Sequence, residues 1–213
     1  RHPLVQQHIR AGGRAVVLEQ GMNGHMIALY DKGSHLPLMW THLIPATIEG
    51  RALHNVQNAM FAAALAYGLK VSRENIEHGL RTFTTSFFQA PGRLNVFDEH
   101  PFKVIMDYAH NAHGVTAMAN LTDQLNVVGK RIVVMAAPGD RRDEDVLDLA
   151  KAAAGHYNTY ICKRDDHTRG RRGDEVPALL RRGLIENGVS PDAIEIIEDE
   201  QEAIISALKR AVP

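Results

Sequence analysis

The second half of the chain alternates short apolar runs with helix-length segments, and this alternation limits the fold more than any other feature of the sequence. Apolar runs at 131–136, 157–163 and 194–198 are interleaved with helical patterns at about 114–125, 144–154, 174–187 and 200–210. Strands joined by helix-length crossovers run parallel and wind with one hand, which puts helices over the faces of the sheet. The expected class is therefore α/β, with a C-terminal doubly wound, mostly parallel, Rossmann-like sheet. Pro177 fits this pattern because it falls in the first turn of its helix, where no backbone N–H is needed.

The first half has a different texture. Residues 14–19 and 25–30 read as two strands of a hairpin around the turn Gly21–Gly24, and a shorter strand is expected near 36–40. From Gly50 the chain turns helical. Residues 52–66 are rich in Ala, Leu and Met and leave so little polar surface that a buried helix is expected, ended by Gly68. Ser72 then caps a second helix running through Leu80, with Asn75 as its capping partner. The Thr/Ser/Phe/Pro/Gly stretch 82–92 carries no element and is the best domain boundary. Two strands follow, 93–97 and 102–107, joined by a turn at 98–101. The expected division is 1–90 and 91–213.

Composition excludes several functions. Lys plus Arg number 24 against 25 Asp plus Glu, which gives no electrostatic case for nucleic acid or an anionic membrane surface. No apolar run approaches the roughly 18 residues that span a bilayer. The single Cys162 rules out an internal disulfide framework and, with no signal-like N-terminus, points to the cytoplasm. The missing initiator Met suggests a fragment. Twelve histidines are scattered without ligand spacing, so no metal site is assigned. The only Gly-Lys pair, Gly129-Lys130, lacks the remainder of a phosphate-cradling P-loop.

Three strings carry chemistry. In His54-Asn55-Val56-Gln57-Asn58, Asn55 and Asn58 lie three apart and share a helix face. Their carboxamides suit an adenine edge, although Asn is also common where a helix begins. In Pro91-Gly92-Arg93, the Arg93 guanidinium suits phosphate or ribose oxygens, or is simply a surface group after a turn. In Asp107-Tyr108-Ala109-His110-Asn111, Asp107 ends a strand, where ligands of open α/β sheets bind, and is placed for ribose hydroxyls or for capping a turn. His110 and Asn111 stand at a helix entrance, whose amides favour anions. Two further loops follow strands. Asp140 and Arg141 suit an incoming amino acid or phosphates, or cap the next helix. Asp165, Asp166 and Arg169 lie in a charge run whose plain reading is a solvated loop.

The three strings, in this order and spacing, resemble Mur-type ATP-dependent amino-acid ligases. The text around them, including Phe87-Phe88-Gln89-Ala90-Pro91-Gly92-Arg93 and Asn95-Val96-Phe97-Asp98-Glu99-His100-Pro101, is similar to the cyanophycin synthetase branch over about residues 40–213. One departure is Ala112, where many relatives have Pro. The resemblance implies that residues 1–90 are the tail of a central ATP-binding domain without its P-loop, and that 91–213 are the lid domain. It implies that Asn55, Asn58, Arg93, Asp107, His110 and Asn111 bind ATP, and that Asp140, Arg141, Asp165, Asp166 and Arg169 meet substrate. It further implies Mg2+ in the complete enzyme and arginine joined to side-chain carboxylates of a poly-aspartate (cyanophycin) chain through an acyl phosphate. The full-length enzyme is expected to be a homo-oligomer, and the fragment alone to be inactive. No catalytic residue is assigned. Two alternatives stay open: another Mur or folylpolyglutamate-type ligase, and a non-catalytic nucleotide-binding module.

Overall fold

The structure is a computed structural model that describes residues 2–213. It divides into two compact units, Arg1–Asn95 and Val96–Pro213. The division falls five residues later than the sequence suggests, and the loop that ends the first unit supplies the reason. Asn95 is buried, and its carboxamide donates to the Thr85 and Ala90 carbonyls at 2.7 and 2.9 Å while accepting from the Gly92 amide at 2.7 Å. Those three bonds tie residues 85–95 into one closed loop that ends the first unit.

The first unit opens with a helix outside the elements expected from the sequence, α1 (Pro3–Arg10), with Pro at its first position and a His2 ring nitrogen accepting from the Leu4 amide. The expected hairpin follows as β1 (Ala15–Gly21) and β2 (Gly24–Asp31), and β3 (Ser34–Trp40) completes an antiparallel sheet in the order β1-β2-β3. Two 3-10 turns, Thr41–Leu43 and Pro45–Thr47, lead into α2 (Leu53–Gly68) and α3 (Arg73–Thr82). Ser72 caps α3 through the Asn75 amide at 3.3 Å. Ile27, Leu29, Met39, Ile44, Ala63 and Ile76 are buried together, so the sheet, the turns and both helices share one core.

In the second unit the two strands expected before the alternation are shorter than their patterns suggest. They pair as β4 (Asn95–Phe97) and β5 (Val104–Met106), a two-stranded sheet of their own. Arg93 thus precedes the strand rather than opening it, because Leu94 takes a left-handed φ of 51° that no strand accommodates. Then come α4 (Ala112–Gln124), β6 (Ile132–Met135), α5 (Asp143–Ala153), β7 (Thr159–Cys162), α6 (Glu175–Glu186), β8 (Ile194–Ile196) and α7 (Glu200–Arg210). Strands β6, β7 and β8 form a parallel sheet in that order. The alternating pleat sends Tyr160 and Cys162 of β7 into a core with Val146, Leu149, Leu180 and Leu184 of α5 and α6. Ile161, equally buried, points the opposite way, and α7 packs against β6 and β7. A mixed α/β fold with a parallel sheet is therefore present, as the alternation predicts. At the β8 edge, Glu195 is clasped by Arg210 of α7. No described helix is long and apolar enough to cross a membrane.

Candidate functional site

The first turn of α2 positions the two asparagines. The Asn55 side chain donates to the Ala46 carbonyl at 2.7 Å, which latches the helix to the preceding 3-10 turn. Its own oxygen accepts from Asn58 Nδ2 at 3.0 Å. Asn55 is half-buried and Asn58 exposed. The pair therefore divides its labour: Asn55 is largely spent on structure, and it orients Asn58, whose carbonyl and second N–H lie outside the pair. A donor and an acceptor on one exposed, oriented carboxamide can meet a ligand edge that offers both.

Arg93 is exposed and lies between two left-handed residues, Gly92 (φ 71°) and Leu94, the latter fully buried. The Arg93 amide donates to Ala90 O at 3.1 Å. Anchored by Leu94 on one side and by the Asn95 carboxamide beneath, the loop presents its guanidinium from a fixed backbone. Sequence reasoning missed Asn95 as the residue that does this. The signal was there, an Asn two residues after the Arg, but its partners lie up to ten residues back.

Asp107 follows β5 directly and is half-buried. His110 Nδ1 lies 2.9 Å from Tyr108 O, and the two rings sit 5.3 Å apart. Asn111 proves to be the N-cap of α4, accepting from the Gly114 amide at 2.8 Å, so its oxygen serves the helix. The helix thus begins two residues earlier than the sequence suggests. Ala112 occupies its first helical position, where Pro is also well tolerated, so the substitution leaves the helix start intact.

The loops after β6 and β7 are docked on one another. A Cβ on Gly139 would lie 2.1 Å from the Thr168 carbonyl oxygen, so this close approach requires glycine. Arg169, held at φ 49°, donates to Asp140 at 2.6 Å. Arg171 is the staple. It donates to Gly139 O and Arg141 O at 2.9 and 2.6 Å, and pairs with Asp143 and Glu175 at 2.8 and 2.9 Å. The Arg141 residue itself is exposed. The recess between the loops, lined in part by Arg164, Asp165 and Thr168, measures about 10 Å3 and has no room for an amino-acid side chain. Asp165 faces this recess, whereas Asp166 is exposed and stands apart from it. A ligand would have to sit over the loops rather than between them.

The hydrogen bond from Arg169 holds the Asp140 carboxyl below its ordinary 3.8. A depressed carboxylate adds stability above its unfolded value and loses it as pH falls through the folded one, here below 3.8. The expected result is an Asp140 carboxyl NMR titration with its midpoint under 3.8 that moves up in Arg169→Ala. Identical midpoints in the two proteins would show that the pair is absent in solution.

An open cavity of about 560 Å3 in the first unit, bordered by His25, Thr41, His42 and Glu49, contains none of the sequence-predicted residues. Among the described residues no group of three or more His, Cys, Asp or Glu is placed to hold a metal ion.

The family described as "Mur ligase, glutamate ligase domain" matches residues 92–213. This chain belongs to the Mur ligase family. The cyanophycin synthetase of Trichormus variabilis is 40% identical to it over 98% of this chain and 22% of its own length. That of Synechocystis is 37% identical over 97% and 23%. This Mur ligase chain therefore spans less than a quarter of these curated relatives. A Mycobacterium tuberculosis folylpolyglutamate synthase complexed with ADP shares the fold, with a TM-score of 0.61, 21% identity and coverage of 97% of this chain and 44% of that one.

Proposed function

We propose that this Mur ligase chain is the C-terminal part of an ATP-dependent ligase of the cyanophycin synthetase type. The observation that carries the proposal is 37–40% identity to cyanophycin synthetases over nearly the whole chain, both units included. In this reading residues 1–90 complete a central ATP-binding domain and 91–213 are its lid. Asn58, oriented by Asn55, reads the adenine. Arg93, Asp107 and His110 are the candidates for phosphate or ribose oxygens, and Asn111 supports the helix entrance. ATP supplies the phosphoryl group that activates an aspartate side-chain carboxylate of the polymer, and arginine then attacks to form the isopeptide bond. Asp140, Arg141, Asp165, Asp166 and Arg169 are the candidates for substrate contact over the docked loops. In this reading the Mg2+ of the reaction sits with a P-loop hydroxyl and the nucleotide phosphates. We place the enzyme in the cytoplasm as a homo-oligomer.

The test uses the complete enzyme with ATP, Mg2+, aspartate, arginine and a primer. Arginine-dependent phosphate release is expected, and its absence overturns the reading. Asn58→Ala should raise the nucleotide Kd about tenfold, as losing roughly 1.4 kcal/mol of hydrogen bonding does. The 213-residue chain alone is expected to show no ATP turnover, since it has no phosphate cradle.

A further inference from the structure

The chain just before helix α2 is held in a conformation its residues resist. Ile48, Glu49 and Gly50 are all left-handed, with φ of 49, 56 and 83°. For a β-branched residue such as Ile48 that backbone is an outlier, and it persists only where the surroundings enforce it. Thr47 does the enforcing. It is fully buried, and its hydroxyl donates in a fork to the Thr41 and Ile44 carbonyls at 2.7 and 2.8 Å while accepting from the Gly50 amide at 2.9 Å. Its own carbonyl accepts from the Ala52 amide at 2.8 Å. One residue thus fastens the 3-10 turn Pro45–Thr47, the left-handed run and the start of α2 to one another.

The Ala46 carbonyl in that turn heads a relay of fixed polarity. A carbonyl only accepts, so Asn55 turns its amine to it, at 2.7 Å. The Asn55 oxygen is left for Asn58, which answers with its own amine at 3.0 Å. Asn58 therefore presents an oxygen and one N–H in an order dictated by a backbone carbonyl. A 6-aminopurine offers an amine beside a ring acceptor, which matches that order. A 6-oxopurine offers an acceptor where the amine was. To meet it the Asn58 amide has to turn over, which sets its oxygen against that of Asn55. From this we infer that Thr47 is the positioning residue that makes the nucleotide site select 6-aminopurines over 6-oxopurines. It acts through others: its hydroxyl fixes the turn, the turn fixes the Ala46 carbonyl, and the relay fixes Asn58. The inference rests on the adenine role proposed above for Asn58.

The test is the ratio of Kd values for inosine diphosphate and ADP, measured on the complete enzyme. The parent protein should hold ADP about tenfold more tightly or better, as one well-placed pair of hydrogen bonds allows. Thr47→Val keeps the shape and removes the hydroxyl. It should bring the ratio down to about one by weakening ADP alone. Thr47→Ser keeps the hydroxyl and should keep the ratio. Ile76→Val, in the core of the same unit, lowers the denaturant midpoint and should leave the ratio at the parental value, which separates lost stability from lost positioning. Should Thr47→Val not fold, Thr47→Cys takes its place, because a thiol is a weak donor and a weak acceptor. A parental ratio in whichever of these two is assayed overturns the inference, and so does an equal loss of affinity for both nucleotides. A parent protein that binds the two equally overturns the adenine role of Asn58 as well. A preference abolished by Asn58→Ala but kept in Thr47→Val leaves that role standing and removes Thr47 alone.

Discussion

Asn95→Ala is expected to destabilise the first unit by about 3 kcal/mol. The side chain is buried and satisfies two backbone carbonyls and one backbone amide. Truncation strands all three, and an unsatisfied buried polar group costs about 1–3 kcal/mol. The loss stays toward the lower end of the sum because water can enter beside an exposed loop. Asn95→Asp should be no better: it keeps an acceptor for Gly92 and turns its other oxygen against the carbonyls of Thr85 and Ala90. Trp40, the single tryptophan, lies in β3 and reports on this unit. Its fluorescence should show a lower denaturant midpoint with an unchanged slope. In the complete enzyme the loosened loop should also weaken nucleotide binding, since Arg93 shares it. A midpoint within error of the parent protein would mean that the carboxamide does not hold this loop.

Gly139→Ala is expected to separate the two loops of the second unit. The new methyl would meet the Thr168 carbonyl oxygen and carbon at 2.1 and 2.7 Å, and both are backbone atoms that no rotamer change removes. Relieving the clash moves one loop away from the other, which breaks the Arg171 bond to Gly139 O and pulls Asp140 from Arg169. Overpacking of this kind costs about 1–3 kcal/mol. Hydrogen exchange should accelerate through residues 164–175, and in the complete enzyme proposed above kcat/KM should fall with it. Gly129→Ala is the matched control. Nothing lies within 4 Å of its Cβ position, and it should stay within about 0.5 kcal/mol of the parent. Unaltered exchange at 164–175 in Gly139→Ala would refute the close approach.

How far the sequence could be read follows from the range of the forces involved. The hairpin 14–30, the helices of the second half and strands β6 to β8 are visible because each is written in its own residues, as pleat alternation or as helix formers with a stop. Helix α1 escaped notice because none of its residues is buried and its cap is a histidine, so only Pro3 announced it. The candidate site was legible as a set of polar residues at loop and helix starts, but not as a division of roles. That Asn111 serves the helix, that Asn55 serves Asn58, and that Arg171 staples two loops all depend on partners such as Gly114, Ala46 and Gly139. Two of those three partners lie far enough away that only the folded chain brings them into reach. Arg93 shows the same limit: its strand pattern was correct from Asn95 onward and wrong before it, because two left-handed residues flank the arginine.

The β8 edge of the parallel sheet has a consequence for how copies of this chain can associate. A sheet edge is an open row of hydrogen-bonding groups and a standing invitation to a neighbour's strand. Here that row is three residues long, its middle residue is charged and clasped by Arg210, and the acidic run Glu198-Asp199-Glu200 follows at once. An incoming strand finds too few groups to pair and a local charge that repels acidic chains. At this edge the sheet resists elongation, which leaves assembly to side-chain surfaces and guards the slow-forming parallel core against runaway polymerisation while it folds.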